Sequence, residues 1–400
     1  MAETLDSITK DVAAREERLI TLRRAFHQRP ELSFEERETA AEIARVLREA
    51  GWEAREGVGG TGVVGLLRGE APGEGPGRTL LVRADIDALP LQEESDHPWR
   101  SRRDGVMHAC GHDGHIAIGL ILAELLAARR GEFHGTVKLA FQPAEERIGG
   151  ALAMLADGVM RDPDVDATLG LHLWTPVPVG QVSVAAGPVF SSADEVFLRV
   201  RGRGGHGAMP HLAVDPVVVA AQIVVALQTL VAREISPFHP AVVSFGLVRG
   251  GGAFNVIADA VELRGTLRAY SQADRESLRR RVGEVARGVA EAMRAHVGYE
   301  ILGGCPACVN DAGMAELVRR AAVATVGEAN VPGGDQRQAA SDDMAYLLEQ
   351  APGCYFFVGA GDAARGIDAP HHSPRFDIAE ESLAVGLETL ARATLDYLRP

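Results

Sequence analysis

A thiol and three imidazoles lie within the eight-residue segment His108–His115 (HACGHDGH). The segment precedes the apolar run Ile116–Leu126, and polar side chains beside such a run need partners if they are buried. A transition metal is the simplest shared partner for sulfur and nitrogen ligands. Cys110 and His112 are two residues apart, which suits ligation from a loop or a helix start. The segment predicts a metal site, and a histidine-rich turn without metal is the alternative.

Further candidate residues follow three predicted apolar strands, Thr79–Arg83, Thr136–Phe141 and Ala167–Gly170. The polar residues after these strands are Asp85, Asp87, Glu145, Glu146 and His172. In an open α/β sheet, ligands bind at the carboxyl ends of the strands. The pattern therefore predicts a site assembled from distant parts of the chain at one edge of a sheet.

Glu145 and Glu146 are adjacent, so their side chains point to different sides of an extended segment. One carboxylate can then bind metal while the other faces water. A solvated acidic pair is the alternative interpretation. The position of the pair after an apolar strand that ends at Phe141 favours the functional one.

Composition limits the class of protein. A chain of 400 residues predicts two domains, and a net charge of −14 argues against nucleic acid and anionic membranes as partners. Residues 1–14 lack the apolar core of a signal peptide, and we expect no later run to be long enough to span a bilayer. These features predict a cytoplasmic protein. Four cysteines are too few and too scattered for a disulfide framework.

The middle of the chain has its own pattern of elements. Predicted strands and helices alternate as Glu195–Arg201, Pro216–Val231, Ala241–Val248, Val261–Ala269, Ala273–Ala295 and Gly298–Leu302. This β-α-β-β-α-β order is typical of a ferredoxin-like unit. We therefore predict an α/β fold, in which a larger mixed-sheet domain formed by residues 1–189 and 304–400 carries an inserted ferredoxin-like domain, residues 190–303. Near the amino terminus, Ser33 and Glu36 predict a capping box at a helix start.

Taken in order, the motifs resemble those of the aminoacylase and carboxypeptidase type of dinuclear metallopeptidases. The stretches that carry the likeness are RAFHQRPELSFEE (24–36), RADIDALP (83–90), HACGHDGH (108–115), QPAEE (142–146), GLH (170–172), GHGAMPH (205–211), NVIAD (255–259) and HHSPRFD (371–377). They span nearly the whole chain. The closest branch resembles amidohydrolases that include hippurate hydrolases, N-acyl-L-amino acid amidohydrolases and auxin–amino acid conjugate hydrolases.

The resemblance implies two divalent metal ions per subunit. By position, the ligands are Cys110, His112, Glu146, His172 and His372. Cys110 would bridge the ions, Glu146 and His372 would complete one site, and His112 and His172 the other. This ligand set favours Zn²⁺, with Mn²⁺, Co²⁺ and Ni²⁺ as alternatives. His372 is preferred over its neighbour His371 because it directly precedes Ser373-Pro374, as the family ligand does.

The resemblance also implies roles in catalysis. Glu145 is the general base that takes a proton from metal-bound water and returns one to the leaving amine, and Asp87 orients a metal-binding imidazole. His206 reaches the active site of a partner subunit and stabilises the oxyanion. Asn255 is a second substrate contact.

Some assignments stay open. Asp85 stands where the carboxypeptidase branch has a histidine ligand, and Cys110 stands where that branch has a bridging aspartate; this substitution is typical of the amidohydrolase branch. Whether Asp85 or His115 touches the metals is undecided. Arg264 and Arg268 share one face of a strand, so either can pair with a substrate carboxylate, and solvent-exposed charges are the alternative.

Two other groups favour structural roles. His27 and His108 are predicted to be structural hydrogen-bonding residues. Cys305 and Cys308 form a CxxC pair without a second pair or histidines, which favours packing over zinc or redox chemistry. Cys354 is predicted to lie in the core.

These observations predict a metal-dependent hydrolase that cleaves N-acyl amino acids into a carboxylic acid and a free amino acid. A carboxypeptidase or dipeptidase with the same site is the nearest alternative. A non-catalytic metal-binding protein is the alternative from another class, and the presence of Glu145 beside every predicted ligand argues against it. A redox protein built on Cys305 and Cys308 is a more distant one. The inserted domain resembles the family's lid and dimerisation element, which predicts a homodimer, with a homotetramer as the alternative.

Overall fold

The chain, described here by a computed structural model of residues 2–400 with side chains from Ser7 onward, forms two compact units. The first unit consists of residues 2–189, 309–336 and 343–400, and the second of residues 190–308 and 337–342. Each unit has its own cluster of buried apolar side chains. The short segment 337–342 is tied to the second unit by Ser191, whose backbone N–H donates to the carbonyl of Ala340 at 2.9 Å.

The elements follow one another along the chain. Up to residue 190 they are α1 (Ala2–Ala13), α2 (Glu16–His27), α3 (Arg37–Glu49), β1 (Glu53–Val58), β2 (Gly62–Arg68), β3 (Arg78–Asp85), α4 (His112–Ala128), β4 (Gly135–Gln142), α5 (Gly150–Ala156), β5 (Ala167–Pro178), β6 (Val182–Ser183) and β7 (Gly187–Phe190). The second unit adds β8 (Ala193–Arg201), β9 (Gly205–His206), α6 (Pro216–Thr229), β10 (Ala241–Gly250), β11 (Val256–Ile257), β12 (Ala260–Ala269), α7 (Gln272–Ala292) and β13 (His296–Cys305). The chain ends with β14 (Cys308–Asn310), α8 (Ala312–Val326), α9 (Met344–Leu348), β15 (Gly353–Gly361) and α10 (Glu381–Tyr397). Short 3₁₀ helices lie at Arg130–Glu132, Pro210–Leu212, Glu328–Asn330 and Ala363–Arg365, and a π-helical segment, Leu230–Glu234, continues α6.

The first unit is built on a seven-stranded mixed sheet with the order β1-β2-β4-β3-β5-β15-β6. Its four central strands, β4, β3, β5 and β15, run parallel, and the flanking strands are antiparallel. Every residue of β4 and β15 is buried, which is typical of parallel strands covered on both faces. The predicted α/β fold with a large mixed sheet is confirmed.

The strand order brings the predicted site together. Strand β3 pairs with β4 on one side and with β5 on the other, and Asp85 lies beside Gln142 in the register. The carboxyl ends of β3 and β4 therefore meet, and the segments that follow them start next to each other. His172 lies within β5, on the other neighbour of β3.

The predicted capping box at Ser33 and Glu36 is wrong. Helix α3 begins at Arg37, and Glu36 makes no side-chain bond to its own helix start. The Ser33 hydroxyl instead donates to Oδ2 of Asp87 at 2.7 Å, and Oε1 of Glu36 accepts the backbone N–H of Ala144 at 2.9 Å. Both residues serve long-range hydrogen bonds, which a local sequence pattern cannot reveal.

The second unit contains a four-stranded antiparallel sheet with the order β10-β12-β8-β13. Helices α6 and α7 contact the sheet and each other. In β8 the side chains of Val196, Leu198 and Val200 are buried, while the residues between them are exposed or partly exposed. One face of the sheet therefore supplies the core of this unit.

One segment contradicts the expectation that no later run is long enough to span a bilayer. Among the described residues 2–400, only Pro216–Glu234 has the required length and apolarity, with a mean hydropathy of 1.7 and 33% of its most apolar stretch buried. Ile223 and Leu227 are buried in the core of the second unit, whereas Val217 and Val225 are exposed. Core packing accounts for the inner face of this helix, and its outer face is also apolar.

Candidate metal centre

Cys110 and His112 reach the site from the amino-terminal end of α4. Gly111 lies between them with a φ of 89°, a left-handed conformation that glycine adopts at little cost. The Sγ of Cys110 lies 3.6 Å from Nε2 of His172. Candidate ligand atoms of these three residues all lie within 4.8 Å of one another. The structure thus brings Cys110, His112 and His172 together from α4 and β5.

A second group consists of Cys110, Glu146 and His372, whose ligand atoms also lie within 4.8 Å of one another. Oε2 of Glu146 is 3.2 Å from Nε2 of His372. His372 has a φ of 64°, and its backbone N–H donates to the carbonyl of Ala109 at 2.8 Å. Cys110 belongs to both groups, which is the arrangement that a bridging ligand requires.

Two buried atoms of this cluster have no hydrogen-bond partner among the residues with described side chains: Nε2 of His112 and Oε1 of Glu146. They lie 3.9 Å apart. Burying a polar atom without a partner is unfavourable, and a cation between them would supply one. A thiolate, imidazoles and carboxylates are together ligands of Zn²⁺ and related divalent metals. The residues present therefore fit a pair of divalent ions.

Backbone carbonyls orient two of the imidazoles. Nδ1 of His112 donates to the carbonyl of Asp87 at 2.9 Å, and Nδ1 of His172 donates to the carbonyl of Leu173 at 2.8 Å. In each ring the opposite nitrogen, Nε2, faces the cluster. Metal-binding histidines are commonly held in this way.

Asp87 departs in part from its predicted role. Its carboxylate is 3.4 Å from Nδ1 of His112, and the closer contact to the imidazole is the Asp87 backbone carbonyl. The carboxylate mainly holds the following turn, because Oδ1 accepts the N–H of Glu145 at 3.0 Å and Oδ2 accepts the N–H of Glu146 at 3.1 Å. Asp87 therefore contacts both His112 and the turn that carries Glu145 and Glu146.

Glu145 is buried, with 8% of its surface exposed. It lies in a turn after β4, since Ala144 has a φ of 51° and the N–H of Ile148 donates to the carbonyl of Glu145 at 2.8 Å. The ligand atoms of His112, Glu145 and Glu146 are all within 4.8 Å of one another. The prediction that the two carboxylates point to different sides assumed an extended backbone, and it is wrong because the chain turns here.

Asp85 and His115 form a buried pair behind the candidate ligands. Nε2 of His115 accepts the N–H of Leu173 at 2.9 Å, so Nδ1 carries the proton and donates to Oδ1 of Asp85 at 2.5 Å. Oδ2 of Asp85 accepts from Nη1 of Arg83 at 2.7 Å and is 3.6 Å from Nε2 of His112. Because protein donors engage both oxygens of Asp85, the pair is placed to support the ligands.

The charges around the cluster shift the pKa values of its members. Burial lowers the pKa of His112, but the charge of Asp85 and the hydrogen bond with Asp87 outweigh it and raise this pKa to about 10. Burial raises the pKa of Asp85, yet the charges of His112 and Arg83 hold it well below its ordinary value. Burial and the neighbouring His115 keep the pKa of His172 well below its ordinary value.

His371 and His372 face different partners. Nδ1 of His371 is 3.6 Å from Sγ of Cys110, and Nε2 accepts the N–H of Thr175 at 3.3 Å. The ring of His371 also stacks on Trp174, with 4.4 Å between the centroids. His371 is thus held in the protein beside the thiol, while His372 lies against Glu146 with 55% of its side chain exposed.

The two histidines predicted to be structural differ. His27 is confirmed as a hydrogen-bonding residue, because Nδ1 lies 2.8 Å from Asp113 and Nε2 lies 3.3 Å from Glu93. The prediction for His108 is wrong: it is buried, and within residues 7–400 neither ring nitrogen has a hydrogen-bond partner. Burial lowers the pKa of His108 to about 4, so the ring is neutral.

The remaining predicted site residues belong to the second unit. His206 is exposed in β9, opposite Val256 in β11, and Asn255 precedes that strand. The carbonyl of Asn255 accepts the N–H of Gly207 at 2.8 Å, so His206 and Asn255 lie on neighbouring segments. Arg264 and Arg268 project from β12, where Arg264 is 3.5 Å from Glu195 and Arg268 donates to the carbonyl of Ala339 at 3.3 Å.

The other cysteines are buried. Cys305 and Cys308 have no exposed surface, and the Cys308 thiol donates to the carbonyl of Asp342 at 3.4 Å. Cys354 lies within β15 in the core of the first unit, as predicted, and burial raises the pKa of its thiol. These surroundings favour packing roles.

Sequence reasoning missed several residues that support the site. Ser33 and Glu36 bond to Asp87 and to the turn after β4, and Arg83 donates to Gln142 at 2.8 Å and to Asp343 at 3.1 Å. The available clue was the stretch RAFHQRPELSFEE, which resembles a family motif but contains no candidate ligand or base.

Comparison with known proteins gives consistent matches over nearly the whole chain. The model of peptidase family M20/M25/M40 matches residues 81–396. The N-acetylcysteine deacetylase of Bacillus subtilis (strain 168) is 38% identical over 386 residues, which cover 95% of this chain and 97% of that protein. Thermostable carboxypeptidase 2 of Saccharolobus solfataricus is 35% identical over 399 residues, 98% of each chain.

A solved structure agrees with these matches. The crystal structure of a dinuclear metal-binding peptidase of the M20 family from Bacillus subtilis superposes with a TM-score of 0.83. It is 33% identical in sequence, and the match covers 96% of this chain and 99% of that chain.

Proposed function

Because the chain belongs to peptidase family M20/M25/M40, we propose that it is a metal-dependent amidohydrolase that cleaves N-acyl amino acids, hippurate-like or N-acetylated, into a carboxylic acid and a free amino acid. The match over residues 81–396 confirms the resemblance predicted from the motifs. It also makes the chain a hydrolase by family.

One observation carries the proposal. Two candidate ligand groups share Cys110, and two buried atoms in them, Nε2 of His112 and Oε1 of Glu146, have no hydrogen-bond partner among the described residues. Glu145, a buried carboxylate that binds neither predicted ion, lies within 4.8 Å of both residues. A cation site with an adjacent base is the constellation that water-mediated amide hydrolysis needs.

We propose two divalent ions per subunit, held by Cys110, His112, Glu146, His172 and His372. The thiolate and the three imidazoles favour Zn²⁺, and Mn²⁺, Co²⁺ or Ni²⁺ are the alternatives. When bound, such ions polarise an amide carbonyl and lower the pKa of water.

The side chains of the protein then divide the remaining work. Glu145 accepts the proton of the attacking water and later donates a proton to the leaving nitrogen. Asp87 holds the turn that carries Glu145 by accepting its backbone N–H. His206 reaches the active site of a partner subunit and donates a hydrogen bond to the oxyanion there, and Asn255 contacts the substrate. Arg268, or Arg264 on the same strand face, pairs with the carboxylate of the amino acid.

The second unit is proposed to be a ferredoxin-like lid and dimerisation domain. Its element order and its strand order, β10-β12-β8-β13, support this interpretation. The exposed apolar residues Val217 and Val225 on α6 and Val248 on the edge strand β10 support contact with a second copy. A homodimer is proposed, with a homotetramer as the alternative, and the cytoplasmic location stays a prediction.

A carboxypeptidase or dipeptidase is the second candidate function. The 35% identity with thermostable carboxypeptidase 2 over 98% of both chains favours it. Hippurate and N-acetyl amino acids, assayed beside dipeptides on the metal-loaded enzyme, separate the two. A higher kcat/KM on dipeptides would replace the proposed substrate class.

Glu145→Gln tests the proposed function. The substitution keeps the size of the side chain and removes its basicity, so we expect kcat to fall roughly 10²–10⁴-fold. Metal content, measured by elemental analysis, should stay equal to that of the parent enzyme because Glu145 is not a proposed ligand.

The exposed Glu17 supplies a matched control, and Glu17→Gln should leave both kcat and metal content unchanged. Substantial turnover by the Glu145→Gln enzyme would remove Glu145 from the role of base. Absence of bound metal in freshly prepared parent protein would remove the metal mechanism itself.

A further inference from the structure

Three consecutive backbone N–H groups after β4 donate to two buried carboxylates from other parts of the chain. The N–H of Ala144 donates to Oε1 of Glu36 at 2.9 Å. The next two N–H groups, of Glu145 and Glu146, donate to Oδ1 and Oδ2 of Asp87 at 3.0 and 3.1 Å. We call residues 144–146 the catalytic turn, because it carries the proposed base and a proposed ligand.

The catalytic turn needs outside support. Ala144 has a φ of 51°, which is unfavourable for a residue with a Cβ, and it is fully buried. Its N–H group lies beyond the sheet, where no ladder can satisfy it, and a buried N–H without an acceptor is costly. The carboxylate of Glu36 therefore accepts the hydrogen bond of a buried backbone N–H, that of the strained residue Ala144.

Glu36 stands at the start of α3, where a carboxylate ordinarily caps its own helix. Here a different residue makes that bond, since the N–H of Thr39 donates to Oε2 of Glu31 at 2.8 Å. Glu36 is thus turned away from its helix, and its second oxygen accepts from the hydroxyl of Thr61. Both of its oxygens are committed to fixing its direction and the turn.

The segment that carries Glu36 is itself anchored beside the site. The carbonyl of Glu31 accepts the N–H of Ala88 at 2.8 Å, and the Ser33 hydroxyl donates to Asp87 at 2.7 Å. Residues 31–36 are therefore joined both to the strand end that carries Asp87 and to the catalytic turn. This arrangement accounts for the part of the PELSFEE stretch that contains no candidate ligand or base.

We propose that Glu36 is a positioning residue of this hydrolase: it holds the catalytic turn so that the carboxylates of Glu145 and Glu146 keep the same alignment throughout turnover. The proposal rests on the proposed function, because it assigns a consequence for catalysis to the orientation of Glu145. Glu36 does not touch the cluster and acts through the backbone of the turn.

The test compares Glu36→Ala with Glu36→Gln in the full-length, metal-loaded enzyme. Alanine removes the acceptor, so amide hydrogen exchange in peptides that contain residues 144–146 should rise at least about tenfold. We expect kcat to fall about 10–100-fold while KM stays within about threefold, because a displaced base slows chemistry more than binding.

Glutamine keeps a carbonyl that accepts from Ala144 and offers an N–H to the hydroxyl oxygen of Thr61. Glu36→Gln should therefore bring both the amide hydrogen exchange of the catalytic turn and kcat most of the way back to the parent values. The neighbouring exposed Glu35 supplies the control, and Glu35→Ala should match the parent enzyme. A role limited to stability would lower the melting temperature of Glu36→Ala without changing kcat below that temperature, and this result would overturn the proposal.

If Glu36→Ala does not fold, Thr61→Val is the milder variant, because it removes only the bond that directs Glu36. We expect it to raise exchange in the catalytic turn and to lower kcat about 3–10-fold. Unchanged amide hydrogen exchange in the catalytic turn would refute the positioning role of Glu36, whatever reaction the enzyme catalyses. Full activity of Glu145→Gln would instead refute the proposed function, so the two failures are distinguishable.

Discussion

A hydrogen bond to a backbone carbonyl orients each of two proposed metal-binding imidazoles, those of His112 and His172. His112 and His172 both give Nδ1 to a backbone carbonyl and turn Nε2 to the cluster. A carbonyl cannot rotate or change its charge, so it fixes the tautomer more firmly than a mobile side chain would. The metal chemistry proposed for Cys110 and its neighbours therefore depends on backbone geometry as much as on the identity of the ligands.

Some charged side chains outside this cluster are also buried, and Glu93 provides a test of how such a group contributes to the stability of the native state. The N–H of Ser101 donates to Glu93 at 2.6 Å, and its other partners are the hydroxyl of Ser95 and Nε2 of His27. Burial raises the pKa of Glu93, but the hydrogen bonds from His27 and Ser95 outweigh it and lower this pKa to about 2. The native state therefore favours the ionised form of Glu93 more strongly than the unfolded chain does.

A depressed carboxyl pKa stabilises the native state above the ordinary value of about 4.5, and this stabilisation is lost as the pH falls from there to about 2. We expect Glu93→Gln to lower the melting temperature at pH 7 by about 2–5 °C. The difference from the parent protein should shrink as the pH falls below 4.5. A melting-temperature difference that does not depend on pH between 3 and 7 would contradict this assignment.

At the scale of elements, strand β5 and helix α4 are connected by His115. Nε2 of His115 accepts the backbone N–H of Leu173, and the backbone carbonyl of Leu173 orients His172. Nδ1 of His115 donates to Asp85 at the end of β3, and Arg83 in the same strand donates to the other carboxylate oxygen of Asp85. A chain of buried hydrogen bonds thus runs from β3 through α4 to the backbone that aims His172.

His115→Gln should break this chain, because glutamine cannot reach Asp85 and Leu173 in the same geometry. We expect the affinity for one of the two proposed ions to fall roughly 10–100-fold, the usual effect of losing a residue that orients a metal ligand. Competition with a chromophoric chelator measures both affinities. His296→Gln, at an exposed position in β13, is the control, and equal affinities in the two variants would exclude the predicted role of His115.

At the scale of the whole molecule, the proposed catalytic residues are divided between two cores. The ligands and Glu145 belong to the first unit, and His206, Asn255 and Arg268 belong to the second. The resemblance to the family implies that His206 serves the active site of a partner subunit. The exposed apolar side chains of α6 and β10 support such a pairing.

Co-expression of Glu145→Gln with His206→Ala tests this arrangement. Each variant alone should lose most of its kcat. In a mixed dimer one site receives both an intact Glu145 and an intact His206, so random pairing should restore about a quarter of the parent activity. Activity no higher than the mean of the two separate variants would show that His206 does not act in the partner's site.

The sequence alone indicated the candidate chemistry and the class of fold. Ligand types are encoded by residue identity, and two closely spaced pairs, Cys110 with His112 and Glu145 with Glu146, needed no tertiary information to be recognised as candidates. An open α/β sheet was predicted from apolar strands whose carboxyl ends carry polar residues. The buried pair Asp85–His115 and the carboxylate of Glu36 could not be assigned in this way.

Only the tertiary structure decided those contacts, because they join residues far apart in the chain. The bond between Glu36 and Ala144 spans 108 positions, and its formation depends on strand register and on a left-handed turn at Ala144. Local patterns favoured a helix cap for Glu36 and an extended segment for Glu145. A buried N–H that must find an acceptor overrode the local preference of Glu36, and a backbone turn determined by the surrounding fold overrode that of Glu145.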